Sequence, residues 1–161
     1  MIKHNVSTVQ SWLALAGWLA VCFGAASFGA QFSPDTWYAQ LAKPSWTPPG
    51  WLFPVVWTLL YAMMGIAAWL VWLRDGFAAG ALPLGFFILQ LLLNAVWSWF
   101  FFGQHRIGLA LVDIALLWLA LLATVAIFWR HHAVAGLLLL PYLLWVSFAA
   151  MLNFAIWRMN T

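Results

Sequence analysis

Residues 82–157 read LPLGFFILQLLLNAVWSWFFF-GQHR-IGLALVDIALLWLALLATVAIFW-RHHA-VAGLLLLPYLLWVSFAAMLNFAIW, three almost unbroken apolar runs parted by two short polar breaks. A helix needs about 20 apolar residues to cross a hydrocarbon core about 30 Å thick, and each run supplies them. Working back toward the N-terminus, the same criterion picks out 12–30 and 51–73. The spans are therefore 12–30, 51–73, 82–102, 107–129 and 134–157, in one domain over residues 1–161. Composition agrees: of 161 residues 67% are hydrophobic and 6% charged, and mean hydropathy is +0.99. Soluble domains run at about 45–50% apolar and about 25% charged, so a soluble domain, a disordered tail and a secreted disulfide scaffold are excluded. The fold class is all-α, an integral membrane bundle of five transmembrane helices with a long first loop that contains a short helix.

The breaks Arg74-Asp75-Gly76, Gly103-Gln104-His105-Arg106 and Arg130-His131-His132 are long enough to turn a chain and no longer, which predicts antiparallel neighbours. Lys3 followed by an apolar run and Ala25-Ala26-Ser27 has the outline of a signal peptide. The run is longer and bulkier than a usual signal core, with Trp12, Trp18 and Phe23, and is read as a retained helix. Basic residues divide three and three between the two sides (Lys3, Arg74 and Arg130 against Lys43, Arg106 and Arg158), so the positive-inside rule assigns no orientation. These six are scattered singly at segment ends. They read as headgroup anchors, and nucleic acid is not a predicted partner despite the net charge of +3.

The connection 31–50 is the long one, and such loops in compact bundles are functional or disordered. Ser33 before Pro34 predicts an N-cap with proline at N1. The short helix so opened places Trp37, Tyr38 and Leu41 on one face, and Pro44 ends it. Pro48 and Pro49 hold the chain extended into the second span. Four large aromatics in a proline-stiffened loop point to a lid on one end of the bundle. An interfacial aromatic belt accounts for Trp12, Trp129 and Trp157 but less well for rings held together in one rigid loop.

Polar side chains within spans tend to face the bundle interior. Gln90, Asn94 and Ser98 recur at four-residue spacing with Trp97 beside them. Tyr142, Trp145, Ala149 and Asn153 repeat the pattern in the last span, and Trp57, Tyr61 and Met64 in the second. Each stripe reads as interhelical hydrogen bonding or as the wall of a small-molecule pocket, apolar with a few fixed polar groups. Asp113, the one acid well inside a span, is either functional or bonded to a neighbouring helix. His4, His105, His131 and His132 all fall outside the spans, so no buried imidazole is predicted to hold haem iron or another metal. Cys22 is the only cysteine, there is no Glu, and no GxSxG, P-loop or GxGxxG pattern occurs. Gly76 and Gly80 form a GxxxG, but in a connection rather than on a span.

The residues resemble the translocator protein, or tryptophan-rich sensory protein (TspO/MBR), family. The resemblance rests on Trp37-Tyr38-x2-Leu41-x-Lys43-Pro44-x-Trp46-x-Pro48-Pro49-x-Trp51-x-Phe53-Pro54-x2-Trp57-x2-Leu60-Tyr61, on Gln90-x3-Asn94-x2-Trp97-x3-Phe101-Phe102, and on Pro141-Tyr142-x2-Trp145-x3-Ala149-x3-Asn153. It covers nearly the whole chain. It implies a five-helix bundle, commonly a homodimer, that binds protoporphyrin-type tetrapyrroles, in some members sterols, and isoquinoline-carboxamide or benzodiazepine-type drugs. By motif position the pocket contacts map onto Trp57, Asn94, Trp97, Tyr142, Trp145 and Ala149, with Trp37, Tyr38 and Trp46 in the lid. The resemblance also admits transport, stress sensing and light-dependent porphyrin breakdown, the last through Trp57 and Trp145. The sterol pattern L/V-x(1–5)-Y-x(1–5)-K/R fails here, because Phe154 stands where its Tyr belongs.

The leading expectation is a membrane receptor that captures a flat tetrapyrrole, stacked on Trp57 and Trp145 beside Tyr61, with Asn94 and Lys43 at its polar edge. A metal-free porphyrin needs no axial ligand, and no cofactor is required. A porphyrin-degrading enzyme and a purely structural subunit are the alternatives. The expected location is a multi-pass position in a bacterial cell-envelope membrane.

Overall fold

A computed structural model describes residues 6–161; Lys3 and His4, used above for orientation and metal ligation, lie outside them. The order is α1 (Thr8–Ala30), α2 (Thr36–Gln40), α3 (Leu52–Ala79), α4 (Ala81–Ser98) continued by a π-helical turn (Trp99–Gly103), α5 (Ile107–His131) and α6 (Ala133–Met159). Five of these, with α4 and its π turn taken together, are long and apolar enough to cross a membrane. The neighbour pairs α1·α3, α3·α6, α6·α5, α5·α4 and α4·α1 close a ring.

The spans are apolar on every side, so burial is decided by shape and by the few polar groups rather than by an apolar stripe. Met64, Ala68, Val71, Phe87, Leu121, Leu139 and Tyr142 fill the centre. Leu13, Leu59, Leu92, Leu116 and Leu144 stay exposed, as suits a lipid-facing surface. At Gly65 a Cβ would lie 2.7 Å from the Leu19 side chain and 3.2 Å from its Cα. Glycine there lets α1 and α3 touch, which is how small residues serve in membrane bundles.

Several boundaries differ from the sequence reading. α1 begins earlier, because Ser7 and Gln10 form a reciprocal capping box: the Gln10 N–H donates to Ser7 Oγ and the Ser7 N–H to Gln10 Oε1. The helix is kinked at Gly76, within the expected Arg74-Asp75-Gly76 break, and a short further helical stretch carries α3 on to Ala79. Asp75 bonds His131 Nδ1 at 2.6 Å and Arg74 donates to the His131 carbonyl, so both polar side chains find partners at the end of α5. Gly76 takes φ 62°, ψ −163°, a region open essentially only to glycine, and the chain turns at Gly80. The last break shrinks to His132, the one extended residue between α5 and α6.

Ser33 is not the cap of α2. Asp35 is: its carboxylate accepts the Tyr38 N–H at 3.0 Å. A carboxylate at the N-cap is favoured by charge as well as by hydrogen bonding. The helix stops at Gln40, where Leu41 turns extended. Trp37, Tyr38 and Leu41 pack together on the cluster of Phe101, Ala110, Leu152 and Ile156.

Candidate functional site

Beneath the first loop the ring encloses a cavity of about 630 Å³. From α1 it takes Phe23 and Ala26; from the loop Tyr38, Lys43, Thr47 and Pro48; from α3 Phe53, Trp57 and Tyr61; from α4 and its π turn Asn94, Trp97, Ser98 and Phe101; from α5 Ile114 and Leu117; from α6 Trp145, Ala149 and Asn153. A π turn inserts a residue and commonly marks functional sites. Here it carries Phe101 into a cluster with Trp97 (5.1 Å, 25°), Tyr38 (6.1 Å) and Phe102 (4.9 Å).

Of the residues singled out in the sequence, Tyr38, Lys43, Trp57, Tyr61, Asn94, Trp97, Trp145 and Ala149 line this cavity. Trp37, Trp46 and Tyr142 do not. Tyr142 is fully buried behind the wall, its ring edge-on to Trp57 at 5.9 Å. Trp46 is half exposed and meets Phe148 edge-on at 5.7 Å. Trp37 lies flat on His105, 4.2 Å between centroids and 15° between planes.

The amide of Asn94 ties three helices together. Tyr61 donates its hydroxyl to Asn94 Oδ1, and Asn94 Nδ2 donates to the Tyr142 hydroxyl at 2.9 Å. A primary amide has two donor and about two acceptor positions, so one of each is left for whatever fills the cavity. Trp97 is held by its Nε1–H to Asn153 Oδ1 at 3.0 Å, and Asn153 in turn donates to the Ile107 carbonyl at 3.2 Å. Trp145 has no such bond: among the described residues its buried Nε1 meets no hydrogen-bond partner.

Lys43 is not free to greet a ligand in this arrangement. Its Nζ donates to the carbonyls of Tyr38 (2.5 Å), Leu41 (3.0 Å) and Ala39 (3.3 Å), satisfying the C-terminal end of α2, and sits 4.6 Å from the centre of the Tyr38 ring. Burial pushes the Tyr38 phenol up from its ordinary value, so it stays neutral. Gln90 and Met64 lie in the core below the cavity, and Asp113 is buried in α5 with Oδ2 lacking a hydrogen-bond partner.

The loop is pinned at two points. His105 Nε2 meets Asp35 Oδ2 at 3.1 Å, beneath the stacked Trp37. The Asn160 amide clasps Ala42, accepting its N–H at 3.0 Å and donating to its carbonyl at 2.9 Å. Asn160 carried no sequence signal, being one polar residue near a terminus. The α1 wall was also missed, since Phe23 and Ala26 sit in a uniformly apolar run. Phe101 was within reach, four residues on from Trp97 along the same stripe. Among the described residues the lining holds no histidine, cysteine or acid; it offers mainly aromatic surface, with hydroxyls, amides and one amine as its polar groups.

The sequence model of the TspO/MBR family matches residues 13–158. The chain is 42% identical to the protein CrtK of Rhodobacter capsulatus over 94% of its own length and 95% of that protein's. It is 45% identical to the tryptophan-rich protein TspO of Chlorobaculum tepidum (92% and 96% covered). With the human translocator protein it shares 44% identity over 77% of this chain and 75% of that one.

Proposed function

Because the chain belongs to the TspO/MBR family and is a multi-pass membrane protein, we propose that it captures protoporphyrin-type tetrapyrroles, and similar flat apolar molecules, from the bilayer. The observation that carries this reading is the cavity itself. Indoles from α3, α4 and α6 converge on it, and Asn94 presents unspent hydrogen-bonding capacity there. Its volume lies within the range of about 300–1,000 Å³ usual for small-molecule sites. Stacking of a planar guest on Trp57 and Trp145, both in the lining, would use the centroid spacings of about 4.5–7 Å that aromatic pairs favour. The guest's carboxylates belong at the end of the cavity lined by Lys43, which would have to exchange a carbonyl partner for them. Among the described residues no imidazole or thiolate lines the cavity, which favours a metal-free macrocycle over an iron held by either of those groups.

Titration with protoporphyrin in the dark, read by quenching of tryptophan fluorescence, tests the proposal. Saturable binding is expected, weakened at least tenfold (about 1.4 kcal/mol) when Trp57→Phe and Trp145→Phe are combined. Unchanged affinity in that double variant refutes the site. A second reading, light-driven porphyrin breakdown, draws support from the two indoles lining one cavity. Illumination under air then decides: loss of the porphyrin absorption band that depends on Trp57 and Trp145 supports turnover, and a band that persists alike in both proteins removes it.

Assembly as a homodimer in a bacterial cell-envelope membrane completes the reading. α1 supports it, burying only Cys22 fully and leaving an apolar face for lipid or a second copy. Mass measurement in nanodiscs distinguishes one copy from two.

A further inference from the structure

A second hollow, of about 410 Å³, lies on the outside of the bundle between α3 and α6. Val56, Leu59 and Met63 form one wall and Pro141, Leu144 and Phe148 the other, every one apolar. Leu59 is 61% and Leu144 71% exposed, so the groove opens on the face that meets hydrocarbon. Among the described residues Trp145 alone lines both this groove and the inner cavity. One indole partitions the two spaces.

That partition is loosely held. Trp97 and Trp118 anchor their Nε1–H groups on Asn153 and Ser147, at 3.0 and 2.8 Å. The Trp145 Nε1 is buried with no partner, and a buried donor left unmatched disfavours the ring position that hides it. The ring contacts are with other rings, Phe53 edge-on at 5.8 Å and Phe148 tilted by 36° at 5.6 Å, rather than a directional hydrogen bond. There is empty volume on either side for it to swing into. One turn earlier Pro141 deprives the Leu137 carbonyl of its helical partner, so α6 is weakest beside the groove. On the water side, by contrast, the loop is fastened through Asp35 to His105 and through Ala42 to Asn160.

We propose that the α3–α6 groove is the way in from the hydrocarbon for apolar planar molecules, and that Trp145 is the door between groove and cavity. That tetrapyrroles are what pass rests on the function proposed above; the route itself does not. The test therefore begins without a tetrapyrrole. In a Cys22→Ala, Ala149→Cys protein in lipid vesicles, position 149 lies inside the cavity. Its labelling by a long-chain alkyl maleimide dissolved in the bilayer is followed by mass.

Leu59→Trp fills the groove without touching the cavity, and is expected to slow labelling about tenfold. Leu144→Trp, on the opposite wall, gives the same slowing, and Trp145→Ala speeds it by a similar factor. Circular dichroism establishes that each variant is folded. A folded Leu59→Trp or Leu144→Trp protein that labels at the parent rate overturns the proposal. In Leu59→Trp and Leu144→Trp proteins that keep Cys22 and Ala149, neither change touching the cavity, protoporphyrin on- and off-rates should fall together with affinity unchanged. Slowed labelling with no porphyrin binding in the parent would leave the route standing and sink the tetrapyrrole reading alone.

Discussion

Replacing Asn94 by Leu, similar in shape and unable to hydrogen-bond, removes the acceptor of the Tyr61 hydroxyl and the donor to Tyr142 at once. In a water-soluble core two orphaned hydroxyls would cost about 1–3 kcal/mol each. Here the reference state is the chain unfolded within the bilayer, where polar groups also find partners, so interhelical bonds average about 0.6 kcal/mol with a maximum near 1.7. The two hydroxyls differ as well. Tyr61 lines the cavity and can turn its O–H toward it, whereas Tyr142 is fully buried behind the wall. The expected loss for Asn94→Leu is therefore about 1–2 kcal/mol, most of it on the Tyr142 side. Tyr142→Phe alone should cost about 0.6 kcal/mol. The double variant should be no worse than Asn94→Leu, because the orphan it would leave is already gone. Reversible unfolding in mixed micelles, followed by circular dichroism, reads all three. Single losses that add to within about 0.3 kcal/mol would mean that Asn94 and Tyr142 do not act on one another, and the network would be refuted.

Further outcomes follow from other parts of the fold. Gly76→Ala forces an L side chain into φ 62°, ψ −163° and should destabilise by about 1–3 kcal/mol. Gly85→Ala, with open space at its Cβ, should stabilise slightly, by up to about 1 kcal/mol; thermal melts of the pair check both. The Tyr38 N–H, and then His105, hold the Asp35 carboxyl below its ordinary range. Its support for the loop is therefore in place above the unfolded value near 3.9 and lost as pH falls through the lowered folded one. Hydrogen exchange corrected for intrinsic rate should show α2 protected at pH 6 and opened near pH 3, and open at both in Asp35→Ala. Equal protection of α2 at the two pH values would sink that account. Asn160→Ala removes both bonds to Ala42 and the bond to the Ile156 carbonyl at the end of α6, and should raise amide exchange across residues 41–43 while leaving α3 unchanged.

Much of the site was legible in sequence because a helix projects residues three and four apart onto one face. Trp57 with Tyr61, Asn94 with Trp97, and Trp145 with Ala149 were so placed, and all six line the cavity. The same rule could not tell a residue in the wall from one behind it, and Tyr142 fell on the far side. Lys43 read as a ligand for carboxylates, but the end of α2 left carbonyls without partners and the amine serves them first. Ser33-Pro34 carried a good cap signal, which the Asp35 carboxylate outcompeted two residues later.

By itself the sequence determined the bilayer as the solvent, the five crossings and the faces that carry polar groups. In hydrocarbon every backbone amide must be satisfied within its own helix, and that demand is written in local order. Only the tertiary structure decided where α3 stops, which amides meet, and that one indole has hollow space on both sides. Those outcomes depend on what a neighbouring helix places opposite: His131 before Asp75, Tyr142 before Asn94, nothing before Trp145 Nε1. No spacing along a single chain records what stands across the gap.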